Sequence, residues 1–235
     1  MTPFIGELIG TALLILLGDG VVANVVLKNT KGSNSGWIVI TFGWAMAVFV
    51  GVFVAAGLSG AHLNPAVTVA LALAGKFDWA NVPIYIAAQM LGAALGAFLV
   101  WLQYQSHFES TENQGLKLAV FCTGPQIRNT RSNFISEVIG TFVLVFGVLY
   151  MAAPEIGLGA VSALPVALLV FAIGLSLGGT TGYAINPVRD FVPRLMHQLL
   201  PIPNKRDSDW SYAWIAIVGP FVGGMVAALV YMALK

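Results

Sequence analysis

The sequence predicts an all-α membrane protein, with six transmembrane helices and two re-entrant half-helices in an inverted repeat. Three observations carry this prediction. Of 235 residues, 58% are hydrophobic and 9% charged, against roughly 25% charged in a soluble domain, so a soluble globule could not cover its surface with polar groups. Six apolar runs each come near the length that crosses about 30 Å of hydrocarbon as a helix. Two shorter apolar pieces open on Asn-Pro, and they occupy corresponding places in two halves that repeat.

The first run, about Phe4–Leu27, follows a basic-free start and is too long and Gly-rich for a cleaved leader, so it is read as a retained span. The second is about Trp37–Gly57. The third, Val82–Tyr104, follows the break Lys76-Phe77-Asp78-Trp79. A polar stretch, Gln105–Arg131, reads as a connecting loop. The fourth run, Asn133–Ala153, ends at Pro154-Glu155. The fifth is Leu158–Leu177 and the sixth Tyr212–Leu234. Asn64–Ala74 and Asn186–His197 are too short to span. Asn is a good N-cap and Pro suits the first helical position, so each reads as a short helix starting sharply at its asparagine. Ile5-Gly6-Glu7-Leu8-Ile9-Gly10-Thr11 recurs as Ile135-Ser136-Glu137-Val138-Ile139-Gly140-Thr141, and Asn64-Pro65-Ala66 recurs as Asn186-Pro187-Val188. The chain therefore reads as one domain, 1–235, with halves of about 1–104 and 131–235 joined by 105–130. Three spans per half force the second half to enter the membrane upside down, and sites in such folds lie at the midplane between repeats.

The net charge of +1 argues against nucleic acid as a partner. The single cysteine, Cys122, cannot make an internal disulfide. His62, His107 and His197 share no ligand spacing, so no metal and no cofactor are expected. The apolar spans hold no Gly-x-Ser-x-Gly, and an intramembrane hydrolase finds no support. What remains is a path through the membrane. Two opposed half-helix N-termini, each carrying about half a positive charge, disfavour cations and protons at the midplane. The Gly-rich approaches to the two asparagines are non-helical, and such backbone is tolerated at membrane depth where it lines a cavity or is buried in protein. Carbonyl acceptors, a few fixed donors and apolar walls suit small neutral hydroxylated solutes.

Ser59-Gly60-Ala61-His62-Leu63-Asn64-Pro65-Ala66-Val67-Thr68 and Gly182-Tyr183-Ala184-Ile185-Asn186-Pro187-Val188-Arg189-Asp190 closely resemble the two signature loops of the aquaporins, and the aquaglyceroporin (glycerol facilitator) branch matches better. The second motif reads Asn-Pro-Val where that family usually has Asn-Pro-Ala. The resemblance implies a selectivity filter of Trp44, Gly174, Tyr183 and Arg189. It implies a pore centre at Asn64, Pro65, Ala66, Asn186, Pro187 and Val188, and pore-lining backbone from Gly60, Ala61, His62, Thr180, Thr181 and Gly182. Glu7 and Glu137 would accept hydrogen bonds from one signature loop each. Water-selective members usually place histidine where Gly174 falls; glycine is expected here to leave room for a carbon backbone. Glycerol facilitators typically have phenylalanine where Tyr183 stands, and its hydroxyl is expected to offer a further partner, with undissociated lactic acid as a candidate solute. Asp190, Pro193 and Arg194 also fit the glycerol branch.

The resemblance implies passive diffusion of glycerol, similar small polyols and water. It also implies a homotetramer embedded in lipid, multi-pass in the cell membrane, and no enzymatic activity. The short termini point to a bacterial inner membrane. The alternative is an ion- or proton-coupled secondary transporter of a small solute, with Glu7 and Glu137 as candidate proton carriers.

Overall fold

The computed structural model describes residues 2–151 and 159–235. Its helices run α1 (Pro3–Val26), α2 (Trp37–Ser59), α3 (Pro65–Leu73), α4 (Val82–Gln103), α5 (Gln105–Ser110), α6 (Gln114–Phe121), α7 (Thr130–Tyr150), α8 (Leu164–Leu177), α9 (Pro187–Leu199) and α10 (Trp210–Ala233), with no strand among the described residues. α1, α2, α7, α10 and the stretch Trp79–Gln103 that includes α4 are long and apolar enough to cross a membrane, and Val161–Leu177 is a shorter apolar helix. The expected end of the fourth run at Ala153-Pro154-Glu155 and the expected start of the fifth at Leu158 lie outside the described residues.

The two halves build the same unit. α1 lies against α2 and α4, and α7 lies against α8 and α10. The half-helices cross over: α3 packs on α10, and α9 packs on α4. Small residues permit the close approaches, as expected where lipid supplies no hydrophobic drive between helices. A side chain at Gly92 in α4 would collide with the backbone of α1 at Leu8, and one at Gly223 in α10 would collide with α7 at Val138. These contacts are repeat equivalents.

The polar stretch 105–129 departs from the expected plain loop. It folds as α5 and α6, because Asn113 caps α6 by accepting from Gly115 N (2.9 Å) and Leu116 N (3.2 Å), while Leu118, Val120 and Phe121 are buried. Lys117 is also buried, and its ammonium finds the carbonyl of Pro203. This segment seats Phe121 and Thr123 beside α9 and so closes one side of the site.

Candidate solute pathway

Asn64 and Asn186 meet at the centre of the molecule. Each side-chain oxygen caps its own half-helix: Asn64 Oδ1 accepts from Ala66 N (2.9 Å), and Asn186 Oδ1 accepts from Val188 N (3.1 Å) and Arg189 N (3.3 Å). Each amide then donates to the opposite half. Asn64 Nδ2 donates to Ile185 O, and Asn186 Nδ2 donates to Leu63 O, both at 2.8 Å. The repeats are thus pinned together reciprocally. An amide has two N–H groups, so one donor on each asparagine remains for the cavity that both residues line.

The approach loops share an unusual backbone. Gly60, Ala61 and Leu63 have φ of 80°, 54° and 51°, and Gly182, Tyr183 and Ile185 have φ of 84°, 40° and 43°. Left-handed conformation costs a non-glycine residue roughly 1–2 kcal/mol, so something must hold it. Successive N–H groups in such turns form a concavity for an anion, and a glutamate fills each one. Glu7 accepts from His62 N (2.9 Å), Leu63 N (2.8 Å), Ser59 Oγ (2.7 Å) and Gln89 Nε2 (2.7 Å). Glu137 accepts from Thr181 Oγ1 (2.7 Å), Ala184 N (3.0 Å) and Ile185 N (3.0 Å). Both carboxylates are buried, and these donors offset the cost of desolvating them.

Two cavities enclose this centre. One, of about 220 Å³, is walled by Val48, Val52, Leu71, Leu144 and Val148, with Gly60, Ala61 and His62 along one side. The other, of about 800 Å³, opens beside α6 and the 122–128 loop. Trp44, Tyr183 and Arg189 line both and therefore form the constriction between them. The Arg189 guanidinium lies 4.2 Å from the Trp44 ring centroid and donates to Phe121 O at 3.4 Å. At the wider mouth Arg128 holds Asp209 with two 2.8 Å hydrogen bonds. Burial opposes ionisation of Asp209, but the bonds from Arg128 and Ser211 prevail and hold its carboxyl below the ordinary range. Two aromatic rings beside a guanidinium, where two cavities meet, can sort small solutes by shape and by hydrogen bonding.

Comparison with known proteins agrees. A family model described as "Major intrinsic protein" matches residues 1–231. The chain belongs to the major intrinsic protein family. It is 57% identical over 231 residues to a probable glycerol uptake facilitator protein of Thermotoga maritima, covering 98% of each chain. It is 40% identical to the D/L-lactic acid transporter of Lactiplantibacillus plantarum, covering 95% of this chain and 94% of that one. The X-ray structure of the aquaglyceroporin from Plasmodium falciparum superposes with a TM-score of 0.86 at 34% identity, covering 97% of this chain and 93% of that one. As a major intrinsic protein the chain is an integral membrane protein of a transport channel family, with the aquaporin fold of six spans and two half-helices.

Several residues sit where the motifs of a major intrinsic protein suggest, and some do not. Gly182 lines the wider cavity. Thr181 is turned to Glu137, and Thr180 O accepts from Gln126 N at 3.1 Å; neither lines either of these two cavities. Pro65, Ala66, Pro187 and Val188 are buried behind the asparagines as the first turns of their half-helices. Gly174 lines neither cavity. Its missing side chain makes space for Tyr183 instead: a Cβ there would sit 2.9 Å from Tyr183 Cζ and 3.0 Å from both its hydroxyl and Thr41 Cγ2. The tyrosine hydroxyl is therefore buried against Gly174 with no hydrogen-bond partner, and it does not present itself to a solute as its sequence position suggested. The structure also adds Asp19, which the sequence reading passed over. It is fully buried, and its Oδ1 lies 3.6 Å from Arg189 Nη1. The signal was there: an acid between Gly18 and Gly20 in the middle of the first span, where ionisable residues are rare and functional.

Proposed function

We propose that this protein is a passive channel through which glycerol, similar small uncharged polyols and water diffuse in single file, without covalent chemistry or a cofactor. The observation that carries the proposal is the meeting of two cavities at Trp44, Tyr183 and Arg189, one step from two asparagines that each keep a free donor. In this reading those three residues are the selectivity filter, with Gly174 shaping it from behind. Asn64 and Asn186 are the pore centre. The backbone of Gly60, Ala61, His62 and Gly182 offers carbonyls, and Glu7 and Glu137 hold the two loops. A polyol would lay its carbons on the rings and its hydroxyls on Arg189. The chain acts as one domain in two inverted halves and assembles as a homotetramer in the lipid of a bacterial plasma membrane. The names of the relatives support glycerol as the main solute. They also support undissociated lactic acid as a second one, through the L. plantarum transporter. A proton-coupled transporter would need a titratable carrier free to change partners, whereas Glu7 and Glu137 each receive several short hydrogen bonds.

Stopped-flow swelling of proteoliposomes tests this directly, with glycerol, water and lactic acid compared against protein-free vesicles. Glycerol flux well above the lipid background is the expected result, and no glycerol flux from a folded protein would overturn the proposal. Lactic acid flux should track the neutral fraction and rise as pH falls toward the acid's own pKa, since the anion would have to desolvate between largely apolar walls. Uptake unchanged by the protein at acidic pH removes lactic acid from the solutes.

A further inference from the structure

Among the described residues, Arg189 is the one cation at the constriction between the two cavities, and intramembrane arginines pair with a counter-charge or with backbone carbonyls. Asp190 is its neighbour in sequence but is committed elsewhere. It accepts from Arg194 Nε (2.8 Å) and Nη2 (3.0 Å), from Thr123 N (2.8 Å) and from Thr123 Oγ1 (2.7 Å). The acid that faces Arg189 is Asp19, on α1. Its two oxygens are buried and receive no hydrogen bond, and the nearest cationic nitrogen is Arg189 Nη1 at 3.6 Å. Gly18, beside it, makes room for the Trp44 ring on which Arg189 stacks. Asp19 itself lines neither cavity. An unbonded carboxylate in such a place has no scaffolding task comparable to that of Glu7 or Glu137.

We propose that Asp19 is a specificity-determining residue that compensates the charge of Arg189 and makes the constriction electroneutral while leaving the arginine N–H groups free to bind solute hydroxyls. The proposal rests on the reading of these cavities as a solute pathway. It follows that the arginine acts here as a donor array more than as a positive barrier, and that exclusion of cations falls mainly to the two half-helix ends. It also follows that small anions find no net attraction at the filter. Removing the carboxylate would leave an unpaired guanidinium in a low-dielectric site, where a unit charge acts strongly.

The test is glycerol swelling of proteoliposomes at neutral pH with sodium formate inside and out, against sodium gluconate, a larger anion, at the same ionic strength. Each variant is normalised to its own flux in gluconate. Asp19→Asn keeps the shape and removes the charge, and formate should half-inhibit its glycerol flux at a concentration at least tenfold lower than in the unaltered channel. Asp19→Val removes the same charge with an apolar side chain and should be sensitised alike. The double variant Asp19→Asn with Arg189→Val should lose the sensitisation, because the attracting group is gone; a merely structural role for Asp19 would not produce that pattern. A formate response in both single variants equal to that of the unaltered channel overturns the charge assignment while leaving the pathway standing. Absence of glycerol flux through the unaltered channel would overturn both.

Discussion

Replacing Glu137 separates a scaffold from a proton carrier. Its Oε1 accepts from Thr181 Oγ1 and Ala184 N, and its Oε2 accepts from Ile185 N. In Glu137→Gln the amide oxygen can keep the Oε1 position with both bonds, and the NH₂ then faces the Ile185 N–H, leaving one buried backbone donor unpaired at about 1–3 kcal/mol. In Glu137→Ala all three bonds go and two buried backbone donors are orphaned, so the loss is about 2–6 kcal/mol by the same measure. The strain at Tyr183 and Ile185, with φ of 40° and 43°, would then drive the loop to relax. That withdraws Ile185 O from Asn64 Nδ2, now at 2.8 Å, and shifts Tyr183 at the constriction. The assay pairs thermal unfolding of the purified protein with glycerol swelling rates in proteoliposomes. The glutamine variant should keep most of its flux and unfold slightly earlier; the alanine variant should lose most of its flux and unfold clearly earlier. Equal loss of flux in both, with unfolding unchanged, would refute the scaffold and favour a carboxylate that must ionise.

Three further outcomes follow from the same geometry. Gly174→His should cut glycerol flux far more than water flux, because its Cβ would sit 2.9 Å from Tyr183 Cζ and force that ring toward the constriction; glycerol swelling that survives intact would refute the placement of Tyr183. Tyr183→Phe should leave both glycerol and lactic acid flux within about twofold, since the lost hydroxyl is buried and unbonded and its removal orphans nothing; a selective fall in lactic acid uptake would show that the hydroxyl reaches the solute. Protons and Na⁺ should not pass, as a narrow pore strips an ion of water that it cannot replace; measurable solute-coupled proton current in planar bilayers would favour the transporter alternative.

Much of the fold was legible because its signals are one-dimensional. Apolar length marked the spans, and Asn-Pro marked the half-helix starts, which fall at Pro65 and Pro187 behind capping asparagines. α5 and α6 were not legible: they are short, their sequence is polar, and the burial of Lys117 and Phe121 depends on partners far along the chain. The paired glutamates were visible through the repeat, yet the bonds that justify them run from Glu7 to 59–63 and from Glu137 to 181–185, a register that no local pattern encodes.

Gly174 and Asp19 mark the limit of reading a site by position. A motif position says which residues stand near a pore, but not which of them own its surface. With glycine at 174, the adjacent volume belongs to whatever neighbour can reach it. Tyr183 reaches it from a strained loop, with Trp37 edge-on at 5.8 Å and donating to Gly174 O at 3.1 Å. Tyr183 is thus held in a notch of Gly174 and Gly178, where a Cβ added at position 178 would come 2.5 Å from Cδ1 of the Tyr183 ring. Asp19 is the converse case. It lines neither of the two cavities, yet it stands closer to the cation at the constriction than any other acid does among the described residues. In the proposed reading, the position of Tyr183 and the charge balance at Arg189 each depend on a residue behind the lining, a missing side chain in one case and a buried acid in the other.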